Sequence, residues 1–273
     1  MDSLAVIADD FTGAGDSGVH FAAAGLKTVL LLEHASLDAS LAGGGVAVMS
    51  TESRLMPPGR AAEAVRKAVR HCRRCGIERF YKKMDSTLRG NPGAETEAAL
   101  AESGCEAALV CPAMPRTGRV VRDGRLFVHG LPLEETDAGR DPFNPVPGSR
   151  LQEIFAAQTG LPAGRLPLES CRSGAGELLK TVRRLIRSGR RLILADAENN
   201  SDLRRLGRLF RRAAGGESGR EEAPRLLPVG AGGLAEAMAE RTSVRPSGLG
   251  FGRLLAIIGS LTRISREQAE YAV

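Results

Sequence analysis

The stretch LAVIADDFTGAGD, residues 4–16, decides the fold class. Its first five residues are all apolar, and an unbroken apolar run of this length indicates a strand that is buried on both faces. Such strands belong to parallel sheets that are covered by helices. The polar, glycine-containing segment that follows then lies at the carboxyl end of the strand, where open α/β sheets bind ligands. The stretch therefore predicts an α/β protein with a site directly after its first strand.

The same alternation of short apolar runs and helical patterns continues along the chain. Further strands are predicted at residues 28–32, 46–49, 107–111, 192–195 and 226–229, with another ending at residues 80–81. Helices are predicted at residues 16–24, 57–75, 94–102, 176–188, 202–213 and 231–240. Between residues 112 and 167 periodicity is weak, so we expect long functional loops with a hairpin near Arg125–Val128. The predicted fold is a mostly parallel sheet flanked by helices in three layers.

The domain organisation follows from a change in composition near the end of the chain. Residues 1–240 are predicted to form one large domain, and residues 241–252 are rich in Gly, Pro and Ser, as is typical of an interdomain linker. Residues 254–259 then form an apolar run and residues 265–272 a helical pattern. One strand and one helix cannot bury a core of their own. We therefore expect residues 253–273 either to begin a second α/β domain or to complete the preceding sheet.

Charge and composition argue against several classes of protein. The 273 residues carry a formal net charge of +6, and aromatic residues make up 4% with no Trp. Most of the basic excess is arginine on predicted helices without aromatic stacking partners, which argues against nucleic-acid binding. No apolar run has the length of a membrane span or the pattern of a signal peptide. Five Cys without the spacing of a disulfide scaffold indicate a cytoplasmic protein with reduced thiols.

Four segments that follow predicted strands carry the candidate site residues. The candidates are Asp9, Asp10 and Thr12, then Arg54, then Lys83, Asp85, Ser86, Arg89 and Asn91, and finally Arg119. The paired acids suit sugar hydroxyls, a magnesium ion or a proton-accepting role towards an alcohol. Lys82 or Lys83 supplies positive charge together with Arg89, which can fork onto a carboxylate. If the sheet is parallel, these segments converge on one edge and form a site for a small ligand with one carboxylate and several hydroxyls.

Three other motifs favour structural roles. His71–Cys75 contains a CxxC pair, but no second Cys or His pair stands at zinc-site spacing, so no metal site is predicted. VGAGGL at residues 229–234 matches only part of a dinucleotide fingerprint. A tight turn that packs a helix on the sheet is therefore favoured over a nicotinamide-dependent oxidoreductase. Among the four His, only His129 in the loop-rich region is retained as a candidate.

At these residues the sequence resembles the four-carbon acid sugar kinases. The resemblance rests on ADDFTGA at residues 8–14, KKMDSTLRGN at 82–91 and PAMP at 112–115, and it continues to Gly118-Arg119. It extends through GLPL at 130–133, Asp141-Pro142, GGLA at 232–235 and IGSLT at 258–262. These blocks occur in order along essentially the whole chain, which makes chance a poor explanation.

The resemblance implies ATP- and Mg²⁺-dependent phosphorylation of the terminal hydroxyl of erythronate, threonate or a dehydro relative. It implies an acid-sugar-binding domain followed by a nucleotide-binding domain. It assigns the sugar-acid pocket to Asp9, Asp10, Lys83, Asp85, Ser86 and Arg89, and a contact with ATP to Ser260. The sugar carboxylate is then expected against Arg89 and Lys83. An aspartate, either of the pair at residues 9–10 or Asp85, is expected to orient or deprotonate the attacking hydroxyl.

The resemblance also implies a departure from the family at the end of the chain. The nucleotide-binding domain of the family extends far beyond Ser260, whereas this chain ends at Val273. We therefore expect a truncated kinase that binds the acid sugar but alone transfers phosphate poorly or not at all, because phosphoryl transfer depends on a phosphate cradle. The alternative is a non-catalytic sugar-acid-binding or regulatory remnant. The expected partners are the acid sugar and either a second copy of the chain or a separate nucleotide-domain chain.

Overall fold

An eight-stranded sheet forms the centre of the molecule in the computed structural model, which describes residues 3–32, 37, 44–214 and 224–239. The sheet contains β1 (Leu4–Ala8), β2 (Thr28–Leu31), β3 (Val46–Ser50), β4 (Arg79–Lys83), β5 (Ala107–Cys111), β9 (Ala163–Leu166), β10 (Leu192–Ala195) and β11 (Leu226–Gly230). Their order is β2-β3-β1-β4-β11-β5-β10-β9, and every described pair of neighbours is parallel. The predicted α/β fold with a mostly parallel sheet is confirmed.

Helices cover the sheet on both faces. They are α1 (Phe11–Ala23), α2 (Pro58–Arg74), α3 (Pro92–Ser103), α4 (Leu151–Ala156), α5 (Leu168–Arg172), α6 (Ala175–Arg187), α7 (Asn200–Ala214) and α8 (Gly232–Ala239). One group contains α2 packed on α3, and another contains α1, α8 and α7 packed in a row. Every residue of β1, β5 and β10 is buried, which requires cover on both faces and explains their unbroken apolar sequences.

The region between residues 112 and 167 is more ordered than its sequence suggests. The predicted hairpin is present as β6 (Arg119–Arg122) and β7 (Arg125–Val128), which pair antiparallel and continue into the short β8 (Leu131–Pro132). The prediction of long loops is wrong for α4 and for β9, which joins the main sheet beside β10. With Gly164 and Arg165 at its centre, β9 lacks the apolar run by which the other strands are visible. Such a run is not required, because among the described strands β9 pairs with β10 alone.

The first helix begins five residues earlier than predicted. Asp10, not a residue near Asp16, is its N-cap, and the Asp10 Oδ1 atom accepts a hydrogen bond of 2.9 Å from the backbone N–H of Gly13. The glycines at residues 13 and 15 suggested a loop, because glycine weakens helices. At Gly13 the reason for glycine is space: a Cβ there would clash with Asp10 Oδ1 and lie 2.7 Å from Lys83 Nζ.

The predicted linker at residues 241–252 and the strand and helix predicted after it lie outside the described residues. Among the residues that are described, no helix is long and apolar enough to cross a membrane.

Candidate functional site

The order of the strands brings three of the predicted loops to one edge of the sheet. β3 and β4 flank β1 on either side, and Ala8 at the end of β1 pairs with Ser50 of β3 and with Lys83 of β4. The segments that leave these strands, residues 9–10, 51–56 and 84–91, are therefore neighbours at the carboxyl edge. This is the position at which open α/β sheets bind ligands.

Arg54 joins the two acids that follow β1. Its Nε atom lies 2.7 Å from Asp9 Oδ2, its Nη2 atom lies 2.8 Å from Asp10 Oδ1, and it approaches Asp85 Oδ1 to 4.0 Å. Burial disfavours the charge of the guanidinium, but the hydrogen bond to Asp9 and the charges of the three acids outweigh it, so the pKa of Arg54 is raised. The predicted candidates Asp9, Asp10, Arg54 and Asp85 therefore form one cluster.

Asp85 and Arg89 form a second ion pair within the loop after β4. Arg89 donates from Nε to Asp85 Oδ2 at 2.9 Å, from Nη2 to Asp85 Oδ1 at 3.2 Å and from Nη1 to Asp141 Oδ2 at 3.0 Å. Thr87 donates to Asp85 Oδ2 through its hydroxyl. Burial opposes ionisation of Asp85, yet these donors and the charge of Arg54 overcome it and hold the pKa of Asp85 well below its usual range. Arg89 is thus already paired with two carboxylates.

Lys83 is the cation of the cluster that lacks a close partner. Its side chain is buried, and among the described residues no carboxylate oxygen lies within 4.0 Å of its Nζ atom. Burial lowers the pKa of Lys83, and the more distant charges of Asp9, Asp10, Asp16 and Asp85 compensate only in part. A buried ammonium without a paired anion is costly, so the position suits an anionic ligand.

Asp9 offers a complementary acceptor that lacks a donor. Its Oδ2 atom is taken by Arg54, whereas its Oδ1 atom is buried and accepts no hydrogen bond from the residues that the structure describes. Buried carboxylate oxygens normally have donors. A ligand hydroxyl is a donor of the right kind, and it would lie at the same edge of the sheet as Lys83.

The remaining candidates differ in their placement. Thr12 is exposed on the first turn of α1, and Ser86 is half-buried beside Asp85. Asn91 turns its amide to the Arg54 segment and donates from Nδ2 to the carbonyl oxygens of Ser53 and Met56, at 3.1 and 2.8 Å. Arg119 begins β6 and donates to its own loop at the Thr117 carbonyl oxygen. No described contact of Arg119 reaches the aspartate cluster.

Three acids at or near the site were not among the candidates. Asp141 pairs with Arg89, and its block in the sequence resemblance was the signal that could have found it. Asp16 acts electrostatically on Lys83 and contacts Gly232 at the start of α8 so closely that a Cβ at residue 232 would clash with it. Glu95 lies beneath the cluster, paired with Lys82. The partners of Glu95 are distant in the sequence, so no local pattern identifies it.

The glycine motif at residues 229–234 has a packing role. A Cβ at Gly233 would lie 2.8 Å from the carbonyl oxygen of Ala113, and one at Gly230 would lie 2.5 Å from that of Cys111. The Tyr81 hydroxyl donates to the Ala231 carbonyl oxygen at 2.6 Å. The turn therefore packs α8 closely against the sheet, as the tight-turn interpretation expects.

In the described part of the chain, no group of three or more His, Cys, Asp or Glu is arranged to hold a metal ion.

Comparison with known proteins finds relatives that cover most of this chain. A family model described as a sugar-binding N-terminal domain matches residues 4–238. A D-threonate kinase of Bordetella bronchiseptica is 37% identical over 97% of this chain and 61% of its own length. A D-erythronate kinase of Heliobacterium modesticaldum is 33% identical over 98% of this chain and 60% of its own length. The chain thus spans 60–61% of the length of these relatives.

A solved structure agrees with these sequence matches. It is a domain of unknown function from Bordetella bronchiseptica, described as a domain-swapped dimer with bound citrate. It superposes with a TM-score of 0.72 at 36% identity, covering 86% of this chain and 55% of the other. The likeness includes the parallel sheet and its covering helices.

Proposed function

This chain belongs to the four-carbon acid sugar kinase family, and from that premise we propose that residues 1–240 bind the acid sugar whose terminal hydroxyl is phosphorylated with ATP. The relatives named D-threonate and D-erythronate kinases support this substrate class. A dehydro relative of these tetronates fits the same description. Citrate, which the solved relative contains, is likewise a hydroxy acid.

The observation that carries the proposal is the unequal use of charge at the carboxyl edge of β1 and β4. Both arginines of the cluster are paired with aspartates, whereas Lys83 has no anion within ion-pair distance among the described residues. We therefore assign the sugar carboxylate to Lys83. Arg89 contributes indirectly, by holding the carboxylates of Asp85 and Asp141 in place. The Oδ1 atom of Asp9, which has no donor among the described residues, then accepts a hydrogen bond from a sugar hydroxyl.

Asp9 is the best candidate for orienting or deprotonating the attacking hydroxyl. Asp10 is engaged by the N–H of Gly13 and by Arg54, and Asp85 accepts from five donor atoms of Thr87 and Arg89. The low pKa of Asp85 also makes it a poor proton acceptor. Thr12 and Ser86 remain proposed contacts to hydroxyls at the rim, and Asn91 is proposed to act through the Arg54 segment.

ATP and Mg²⁺ enter only through the family. Mg-ATP supplies the phosphoryl group when bound, and Ser260, the proposed ATP contact, lies outside the described residues. The chain spans 60–61% of its curated relatives, and the matching family model is a sugar-binding domain. The sugar-binding description of that family model supports a second candidate function, in which the chain binds the sugar acid without transferring phosphate.

Isothermal titration calorimetry with D-threonate and D-erythronate tests the binding proposal. The neutral four-carbon polyol threitol is the control, because it retains the hydroxyls but lacks the carboxylate. Binding of either acid with no detectable binding of threitol supports the assignment, and equal affinities for acid and polyol contradict it. Turnover of the tetronate with Mg-ATP then separates the kinase from the binding protein.

Two further proposals concern assembly and location. The solved structure of the Bordetella relative is a domain-swapped dimer, which supports a homodimer for this chain. Light scattering after gel filtration measures the oligomeric state. None of the five cysteines forms a disulfide in the described structure, which supports a cytoplasmic location.

A further inference from the structure

A buried ion pair lies beneath the charged side chains of the candidate site. Lys82 Nζ and Glu95 Oε2 are 2.7 Å apart, and both side chains are 1% exposed. Lys82 belongs to β4, and Glu95 lies in the first turn of α3. A buried pair of this kind is weak evidence for stability, because a well-packed apolar pair often stabilises as much. Its contribution is therefore better sought in the geometry that it imposes on its neighbours.

Each member of the pair holds one of the segments that carry the cations of the site. The Ser53 hydroxyl donates to Glu95 Oε1 at 2.7 Å, and Ser53 directly precedes Arg54. Lys82 donates from Nζ to the carbonyl oxygen of Lys83 at 2.6 Å. One buried pair thus connects the Ser53 side chain, which precedes Arg54, with the backbone of Lys83.

The Arg54 segment is held at several further points, among them a contact of 2.7 Å between the hydroxyl oxygens of Thr51 and Ser53. The backbone N–H groups of Ser53 and Arg54 both donate to the Asp9 carbonyl oxygen, at 2.9 and 3.2 Å, and Asn91 holds the Ser53 carbonyl oxygen. Glu52 adopts a left-handed backbone with φ of 48°, which is unfavourable for a residue other than glycine. Such a conformation persists where surrounding contacts enforce it. The buried hydroxyl-to-carboxylate bond of Ser53 is one of those contacts.

We propose that Glu95, through Ser53 and with Lys82 as its counter-ion, is a positioning residue that fixes Arg54 in the geometry that bridges Asp9 and Asp10. The consequence for the ligand rests on the proposed acid-sugar function. With Arg54 bound to Asp9 Oδ2, the Oδ1 atom of Asp9 remains as the acceptor for a ligand hydroxyl. Without Arg54, the two carboxylates lose the cation that orients them.

Ser53→Ala is the sharpest test, because it removes the bond to Glu95, together with the hydroxyl contact to Thr51, and leaves the Lys82–Glu95 pair intact. Ser103→Ala is the matched control, since Ser103 is also buried, also hydrogen-bonded through its hydroxyl, and lies at the far end of the same helix. We expect Ser53→Ala to weaken D-threonate binding about tenfold or more, as loss of a hydrogen bond to a charged group allows. Ser103→Ala should lower the melting temperature without changing the affinity.

A readout that needs no ligand keeps the two proposals separable. Exchange of the Arg54 Nε proton with solvent, followed by NMR, should be slow in the wild type and in Ser103→Ala, and markedly faster in Ser53→Ala. If the wild type binds no acid sugar, the proposed function fails while this exchange still decides the positioning role. Equal exchange rates and equal affinities in both variants would overturn it. Should Ser53→Ala fail to fold, the double variant Lys82→Met/Glu95→Leu replaces it, because it removes the acceptor of the Ser53 hydroxyl without leaving a buried charge unpaired. Faster exchange in that variant supports the inference, and unchanged exchange refutes it.

Discussion

Lys83 Nζ lies 2.7 Å from the point that a Cβ atom would occupy at Gly13. The ammonium at the end of β4 therefore uses the space left by a missing side chain at the start of α1. Glycine at this position is a requirement of the site and not of the backbone, since φ there lies outside the left-handed region.

Gly13→Ala should consequently reduce affinity for the acid sugar. The new methyl group would displace the Lys83 ammonium and the Asp10 carboxylate, and about a tenfold increase in the Kd for D-threonate is expected. Gly15→Ala is the control, because a Cβ at Gly15 meets no atom within 4 Å. That variant should retain affinity and gain up to about 1 kcal/mol in the free energy of unfolding. Calorimetric titration and urea unfolding measure both; an unaltered Kd in Gly13→Ala would contradict the role of Lys83.

Arg54→Lys should weaken the site although it preserves the charge. A single ammonium cannot reproduce the two separate nitrogen contacts that Arg54 makes with Asp9 and Asp10. We expect the free energy of unfolding to fall by about 1–3 kcal/mol, because a buried Asp9 oxygen loses its donor. Acid-sugar affinity should fall as well. Arg60→Lys, at an exposed position of α2, should change neither quantity.

The pH dependence of binding should follow Lys83. Its pKa is lowered by burial, so in the folded protein it loses its proton below the ordinary lysine range. Between the folded and unfolded pKa values the unfolded chain binds more protons, so the contribution of Lys83 to the free energy of unfolding increases with pH there. Carboxylate affinity should decrease over the same window. Titration of D-threonate from neutral to alkaline pH measures this fall.

Lys83→Met is the matched variant for that experiment. It removes the titrating group at similar length, so it should bind the acid sugar weakly, with no alkaline decline of its own. An alkaline decline that persists unchanged in Lys83→Met would assign the titration to another group.

Asp85→Asn should destabilise the protein in a way that depends on pH. The change leaves the half-buried Arg89 without its forked partner, and a loss of about 2–3 kcal/mol is expected near neutral pH. The pKa of Asp85 is depressed in the folded protein, so its contribution is complete above the ordinary aspartate pKa and is lost as pH falls towards the folded value. The difference from wild type should therefore narrow in acid. Asp141→Asn, at the more exposed partner of Arg89, should show a smaller loss that urea unfolding can compare directly.

The sequence predicted those parts of the fold that leave a local signal. The buried strands are visible as apolar runs, such as Ala107–Cys111, because burial on both faces excludes polar residues. β9 was missed because pairing with a single neighbour allowed Gly164 and Arg165 at its centre. The early start of α1 was missed because glycine at residue 13 suggests a loop. The reason for this glycine is the space that Lys83 occupies, and Lys83 belongs to a different strand.

The site was predicted to the same extent and for the same reason. Convergence of Asp9, Arg54 and Lys83 followed from strand ends meeting at one edge of a parallel sheet. The partners of the polar and charged side chains were not predictable. Ser53 and Glu95 are 42 residues apart in the sequence, and Arg89 and Asp141 are 52 residues apart. Such contacts depend on tertiary packing, and the pattern of one segment does not contain them.

The position of β11 has a consequence for the order in which the protein folds. β11 lies between β4 and β5 in the sheet, yet it follows every other strand of that sheet along the chain. One half of the sheet contains β2, β3, β1 and β4, and the other contains β5, β10 and β9. During synthesis the two halves cannot be joined into one sheet until residues 226–230 have been made. Closure of loops of this length slows folding. Until that strand arrives, the edges of β4 and β5 present unpaired backbone groups that other chains can bind, so synthesis of β11 is the step that ends the exposure to aggregation.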